Sequence, residues 1–502
     1  MKALAILVLA IPLFAQTSPT PAREPESSWA IRGAVLIDGT GGSTTADSTI
    51  VGHGRFITCA GNASRCPVPA AAAVLDARGK WIVPGLIDTH VHLRWTEQPE
   101  ETRRDQTTRL AFGITTTRDA GTSKNLEANL AARTRVDAAD VPEPRLVVSG
   151  LISTENVQRY GARNVTDLVH VLAALGVDAI KIKQERTDDE IQAIVKEAHR
   201  LGLPVFGHTW AEGRSHLDAA LTAGIDGLSH MATISAFGQA AGAQRPPSPG
   251  GLGRWIWSLD RWQTQDDARL QHIVESAVAQ HIWLEPLLVN EVHFTLPYPF
   301  DKDQAYLADS PTMKSVVRSW IPFGEQGSLQ INRRRSRVDA VYPLICKFVQ
   351  SFHDRGGVVV TGTDEDPAGP ALLKEIQLLN HCGLSPMEAI QAATLRAAAA
   401  LKRPDFGTLE AGKFADAVVL DADPLLDLAN LTRVWRVVKG GHIYDPAALL
   451  APRIAAHRTA LRIAYFSWSL GVLGLLSGMG LTAVLIRNRR RAAIRLRDAP
   501  QT

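Results

Sequence analysis

Cysteine is scarce, with four in 502 residues. That is too few for a disulfide scaffold, and the spacings do not fit a zinc finger. Excess charge is missing too. The formal net charge is +3, but residues 487–502 hold six Arg and one Asp, which leaves the rest of the chain at −2. Without a basic body, nucleic acid is excluded as a partner. With 45% apolar and 21% charged residues, the mix also excludes a disordered or collagen-like chain. The length points to two or three structural units.

Two apolar runs mark the ends. Residues 1–15, MKALAILVLAIPLFA, carry one Lys before a run shorter than a membrane span. This reads as a secretory signal within residues 1–22, cleaved between Ala15 and Ala22, with an uncleaved anchor as the alternative. Residues 463–486 form a second run, without a charge. As a helix it would cross a hydrocarbon layer of about 30 Å. The basic tail that follows, 487–502, places that end in the cytoplasm. The expected protein is single-pass in the cell membrane, its body extracytoplasmic (periplasmic where there is a periplasm) and its C-terminus cytoplasmic. The lipid bilayer is then a partner through one helix. Gly474 and Gly478 form a small-xxx-small pair that suits helix pairing, so a homo-oligomer stays open. Export permits disulfides. Cys59 and Cys66 flank a Gly/Asn/Ser turn and form a candidate pair, whereas Cys346 and Cys382 read as buried thiols.

Short β-rich runs separated by Gly, Asp and Asn turns occupy 28–84 and return at 403–446. Between them, strands alternate with helices, which implies a parallel sheet. Strand ends fall near 90, 117, 149, 182, 208, 229, 288 and 363. The expected fold class is therefore α/β: a (β/α)8 TIM barrel over 85–402, a small β-sandwich built from both flanking segments, and one C-terminal transmembrane helix. Thr187 with Glu190 and Ser385 with Glu388 predict capped helix starts. Two long connections, 231–264 and 290–337, suggest lids or binding walls. With Trp95 and Trp210, they place six of eleven Trp near the mouth, either lining a pocket or packing loops.

The strongest local pattern is WIVPGLIDTHVHLRW, residues 81–95. His90 and His92 share one face of a strand, and two imidazoles at a strand end suit a divalent metal such as zinc. Lys181 and Lys183 share a face of VDAIKIK. His208 ends LPVFGHTW, His230 ends GIDGLSHM and Asp364 ends VVVTGTDED. A lone buried His is usually a core residue and a lone Asp a turn former. Convergence of all these at strand ends points instead to a metal centre.

The segments PGLIDTHVHL, GITTTRDAG, GVDAIKI, GIDGLSHM, GTD and GTLEAGKFADAVVLD resemble the amidohydrolase superfamily, in its imidazolonepropionase-like and prolidase-like (metal-dependent dipeptidase) branch. The likeness runs from about residue 30 to 445. It implies that His90 and His92 bind one metal and His208 and His230 a second, with carboxylated Lys181 bridging them. Asp364 would bind the first metal and serve as catalytic proton shuttle. Two Zn are implied, with Mn or Fe as substitutes, or one metal if Lys181 is unmodified. Lys183 is the competing bridge. The implied activity is hydrolysis of a C–N amide bond by metal-activated hydroxide, in a dipeptide or N-acyl amino acid. Cyclic-amide hydrolysis or deamination of a heterocycle is the alternative. A non-catalytic membrane-tethered binding protein is a third reading, opposed by the complete ligand set.

Two departures bear on substrate. Lys183-Gln184-Glu185-Arg186 replaces a small, Gly-rich stretch, and Trp210 stands where relatives often carry His or Tyr. Trp210, Tyr160 and His293 are the candidate substrate contacts, with Arg159 joining Tyr160 to hold a peptide carboxylate. Arg118 and Asp119 are expected to form an ion pair near the rim, and Arg333–Arg335 a solvated face.

Overall fold

The computed structural model describes residues 27–121, 124–138, 140–183, 186–211, 214–238, 259–292, 307, 325–364, 367–460 and 462–463. The expected signal, the basic tail and all of the expected membrane helix beyond Ile463 lie outside them. Among the described residues, no helix is long and apolar enough to cross a membrane.

The N-terminal segment gives five strands: β1 (Ser28–Leu36), β2 (Thr45–His53), β3 (Phe56–Asn62), β4 (Ala73–Asp76) and β5 (Trp81–Pro84). The barrel strands are β6 (Leu86–Val91), β7 (Ile114–Asp119), β8 (Arg145–Ile152), β9 (Ala179–Ile182), β10 (Val205–Gly207), β13 (Gly227–Ser229) and β14 (Trp283–Glu285). A hairpin of β11 (Trp210–Ala211) and β12 (Arg214–Ser215) lies between β10 and β13. The chain ends in β15 (Ala417–Leu420), β16 (Val434–Lys439) and β17 (His442–Tyr444).

The flanking segments share one sheet, as their texture predicts. Its order is β17-β16-β15-β5-β1-β2-β3, with β4 also on β1. One continuous sheet curled on itself takes the place of the two layers expected of a sandwich. Strand β1 changes partner at Gly33, which has φ +86°. Residues Trp29–Arg32 of β1 pair with β4, whereas Val35 and Leu36 pair with β5. Only glycine adopts that φ cheaply, and a Cβ there would sit 2.4 Å from Arg78 Cγ. At the far edge, Phe56 bridges Phe414 and their rings stack at 4.9 Å. Trp29, Ile31, Ile50, Ile57, Ile82, Leu409 and Val419 fill the enclosed core.

Strands β6 to β14 form a parallel sheet in chain order, without the β11–β12 hairpin. Residues 358–364 close it into a barrel. Leu284 N donates to Val358 O at 2.8 Å and Val360 N to Leu284 O at 2.9 Å. On the other side Thr89 N donates to Thr361 O at 3.2 Å and Asp364 N to His90 O at 2.7 Å. The expected eight-stranded closure is thus present, with β14 ending nearer 285 than 288. Closure matters because a barrel gathers side chains from distant strands at one rim.

Both capping boxes form. Thr187 Oγ1 accepts Glu190 N at 3.2 Å and Ser385 Oγ accepts Glu388 N at 3.3 Å. Ile191, Ile194, Val195 and Ala198 bury one face of the helix Asp188–Arg200. Within the connection 290–337, the described residues from 325 onward belong to the helix Glu325–Asp354. Trp262 is buried with its ring 6.1 Å from that of Phe348, so it packs a loop onto the barrel. Trp255, Trp257 and Trp320 lie outside the described residues, as does His293.

The structure corrects the thiol expectation. Cys59–Cys66 are bonded as proposed, but Cys346–Cys382 are bonded too. Separated by 36 residues, the second pair ties Glu325–Asp354 to the end of the helix Pro370–His381. Linking positions that far apart constrains the unfolded chain by about 4 kcal/mol. Replacing Cys346 and Cys382 together by Ser should lower the unfolding free energy by about that amount in a denaturant titration. The same change at Cys59 and Cys66, whose loop is shorter, should cost less.

Candidate metal centre

The six expected side chains meet at the strand ends. His90 is fully buried on β6, with Nε2 3.2 Å from Lys181 Nζ on β9 and 4.0 Å from Asp364 Oδ1. His92, about one-third exposed, places Nε2 2.9 Å from the same Asp364 oxygen. His230 Nε2 lies 3.7 Å from Asp364 Oδ2. The ring of His208 is 5.0 Å from that of His230, and the His90 ring 5.1 Å from it. His92, Lys181, His208, His230 and Asp364 line one cavity of 220 Å³.

The strand ends hold this geometry under strain. His230 (φ +68°) and Asp364 (φ +52°) both take the left-handed conformation, which costs a non-glycine residue of order 1–3 kcal/mol. Backbone bonds fix each one: His230 N donates to Glu285 O at 3.0 Å and Asp364 N to His90 O at 2.7 Å.

The donor set fits a divalent cation. His90, His230 and Asp364 offer atoms that all lie within 4.8 Å of one another. Burial, reinforced by Lys181, holds the His90 and His208 imidazoles well below their ordinary pKa. Burial also brings His230 down to about 4, against the pull of Asp364. Neutral imidazole is the metal-binding form. Burial opposes ionisation of Asp364, but His92, His90 and His230 outweigh it and keep its carboxyl far below the usual range. Burial also pushes the Lys181 ammonium down to about 7, with Glu285 opposing and Arg118 assisting. A lysine that readily gives up its proton has the free amine that carbon dioxide needs. Lys183, by contrast, is exposed. Both lysines line the cavity, but Lys181 is the buried one, with Nζ 3.2 Å from His90 Nε2.

Glu285 on β14 escaped the sequence reading. Fully buried, its carboxylate accepts from His90 Nδ1 at 2.6 Å, Ser229 Oγ at 2.7 Å, Arg118 Nη2 at 2.8 Å and Thr89 Oγ1. This fixes which His90 nitrogen faces Lys181 and Asp364. It also corrects the expected Arg118–Asp119 pair. Consecutive strand residues face opposite ways. Arg118 turns inward to Glu285, its guanidinium 3.5 Å from the Phe206 ring centroid, while Asp119 accepts Leu93 N at 3.0 Å and Gly121 N at 3.1 Å.

The expected substrate contacts do not join the cluster among the described side chains. Tyr160 OH donates to Glu127 Oε1 at 2.8 Å and Arg159 Nη2 to Glu127 Oε2 at 2.9 Å, so Glu127 occupies the proposed carboxylate holder. Neither residue lines the cavity. Trp210 lies on the β11–β12 hairpin, and His293 is outside the described residues.

Residues 81–444 match the amidohydrolase family. The chain belongs to that family. Among relatives of this amidohydrolase-family chain, ochratoxinase from Aspergillus niger is 28% identical over 312 residues. That match covers 60% of this chain and 51% of the relative, so the chain spans about half the length of that curated relative. Imidazolonepropionase from Mycolicibacterium smegmatis is 26% identical over 440 residues, covering 82% of this chain and 97% of that one. Among solved structures, a Xaa-Pro dipeptidase with bound methionine in the active site superposes with a TM-score of 0.59 at 20% identity. It covers 84% of this chain and 100% of its own, which supports the same fold.

Carboxylates that orient a metal-bound histidine usually contribute about 10–100-fold to metal affinity. Glu285→Gln should therefore weaken zinc binding by about that factor in a competition titration with a chromophoric chelator. Unchanged affinity would show that Glu285 supports the fold alone.

Proposed function

We propose that the chain is a metal-dependent hydrolase of C–N amide bonds, acting on a dipeptide or N-acyl amino acid. The single observation that carries this reading is the convergence of His92, Lys181, His208, His230 and Asp364 on one cavity, with the buried His90 Nε2 3.2 Å from Lys181 Nζ and 4.0 Å from Asp364. Membership of the amidohydrolase family and a barrel shared with a Xaa-Pro dipeptidase support it. In the proposed centre His90, His92 and Asp364 would hold one divalent ion and His208 and His230 a second, with a carboxylated Lys181 shared between them. Zinc, the expected metal, would supply activation of a water and polarisation of a carbonyl.

The protein's own groups do the rest. The His90 ring is held by Glu285 with Nδ1 occupied, leaving Nε2 towards Lys181 and Asp364. Asp364 stays ionised and hydrogen-bonded to His92, so it can accept a proton from water and pass it to the departing nitrogen. A carboxylated Lys181 turns a buried cation into an anion, which offsets the charge of two ions in a site otherwise built from imidazoles.

A second reading, hydrolysis of a cyclic amide, draws on the imidazolonepropionase likeness, which covers nearly all of that relative. The two readings are separated by product: amide cleavage of linear substrates frees two fragments, ring opening only one. Metal-loaded protein should hydrolyse part of a panel of dipeptides and N-acyl amino acids, and stop on chelation. Asp364→Asn should lower kcat by at least about 10²-fold. A metal-loaded protein inert towards the whole panel would overturn the linear-amide reading.

We also propose an extracytoplasmic body tethered by residues 463–486. Two disulfides suit an oxidising compartment, and the flanking Arg run suits a cytoplasmic tail. In fractionated cells the chain should sediment with membranes, its body cut by protease added outside. Recovery in the soluble cytoplasm would refute this.

A further inference from the structure

Dipeptides and N-acyl amino acids both end in a carboxylate, yet the holder expected for it, Arg159 with Tyr160, is taken by Glu127. The metal cavity supplies another. Apart from the side chains assigned to the metal centre, it is lined by Ala120, Gly121, Leu151, Ala232 and Lys183. Only Lys183 among these five has a polar side chain. A pocket with apolar walls orients its ligand through a few placed polar groups, and on this wall that task falls to one ammonium.

Lys183 follows β9, two residues beyond the buried Lys181. At about 3.3 Å of rise per residue, its backbone stands about 7 Å nearer the mouth. Its side chain is exposed where that of Lys181 is enclosed. Its charge nonetheless reaches inward, opposing protonation of both Lys181 and His208. The ammonium therefore belongs to the cavity side of the rim. Among the described residues it makes no ion pair and no hydrogen bond, whereas Lys80 and Lys402 each meet an Asp, at 2.6 and 3.3 Å. A second ammonium beside donors that suit a divalent cation adds like-charge repulsion. An anionic ligand group at the mouth relieves it.

We propose that Lys183 binds the substrate carboxylate, so that the enzyme selects amides of amino acids whose carboxyl group is free. This rests on the amide-hydrolase reading and names the recognition element of that site. A linear substrate with its amide at the level of Lys181 and its carboxylate turned to the mouth meets both lysine levels at once. The ammonium–carboxylate hydrogen bond is charge-assisted and stronger than a neutral one. A C-terminal carboxamide keeps the scissile bond and presents no charge.

The test compares dipeptides and N-acyl amino acids with their C-terminal carboxamides, on metal-loaded wild type, Lys183→Met and Lys183→Arg. Wild type should prefer the free carboxylate by about tenfold or more in kcat/KM. Lys183→Met should bring the two forms level, and Lys183→Arg should keep most of the preference. A guanidinium stays charged and cannot serve as a carboxylated bridge, so rescue by Arg separates carboxylate binding from metal bridging. A reduced-bond dipeptide, with CH2–NH in place of the amide, gives a readout without turnover. In calorimetry its carboxylate form should bind wild type more tightly than its carboxamide, and Lys183→Met should bind both alike. If wild type cleaves both forms equally, or Lys183→Met leaves the ratio unchanged, the Lys183 assignment falls while amide hydrolysis stands. If no substrate is cleaved, the amide reading falls and calorimetry decides Lys183: equal binding of the two forms, or none, overturns the assignment.

Discussion

The arrangement depends on one carboxylate at the middle of the barrel. Glu285 draws donors from four places on three strands: Thr89 and His90 from β6, Arg118 from β7 and Ser229 from β13. A buried carboxylate with fewer partners would cost several kcal/mol. Here charge is met by the Arg118 guanidinium, and the remaining lone pairs by hydroxyls and an imidazole. The same contacts that satisfy Glu285 stitch the strands together and orient His90. Stability and site geometry therefore rest on the same atoms, and loosening one loosens the other.

Above that pair, the rim gathers mostly cationic or neutral donors. Four imidazoles and a lysine crowd around a single carboxylate, and burial keeps three of the imidazoles and the lysine from charging freely. Asp364 bonds to His92 and lies within 4.0 Å of His90 and His230. A fold would gain nothing by spending left-handed backbone at two of these residues to gather neutral donors around one anion. A divalent ion held by these donors would give the strain and the desolvation a common purpose.

Much of this could be read from the chain itself. His90, His92, Lys181, His208, His230 and Asp364 each end a β-type apolar run, so their convergence follows from closing a barrel. The shared sheet was legible from the matching textures of 28–84 and 403–446. The curl was not, because it rests on a change of partner at Gly33 and on a contact between Phe56 and Phe414, far apart in sequence. Glu285 was missed because HIWLEPL looks like an ordinary buried strand with an acid at its end. Its position two residues after Trp283 on one face was the available clue. Cys346 and Cys382 gave no sign of pairing, since only the packing of two barrel helices brings them together. Arg118 was assigned to its sequence neighbour, although strand alternation forbids that contact.

We propose that these six side chains hold metal ions, and elemental analysis of intact, purified protein, paired with a native mass measurement, checks this proposal. Two divalent ions per chain and one carbon dioxide adduct are expected, the adduct lost in Lys181→Ala and kept in Lys183→Ala. A folded protein that retains no ion when supplied with zinc or manganese would contradict it.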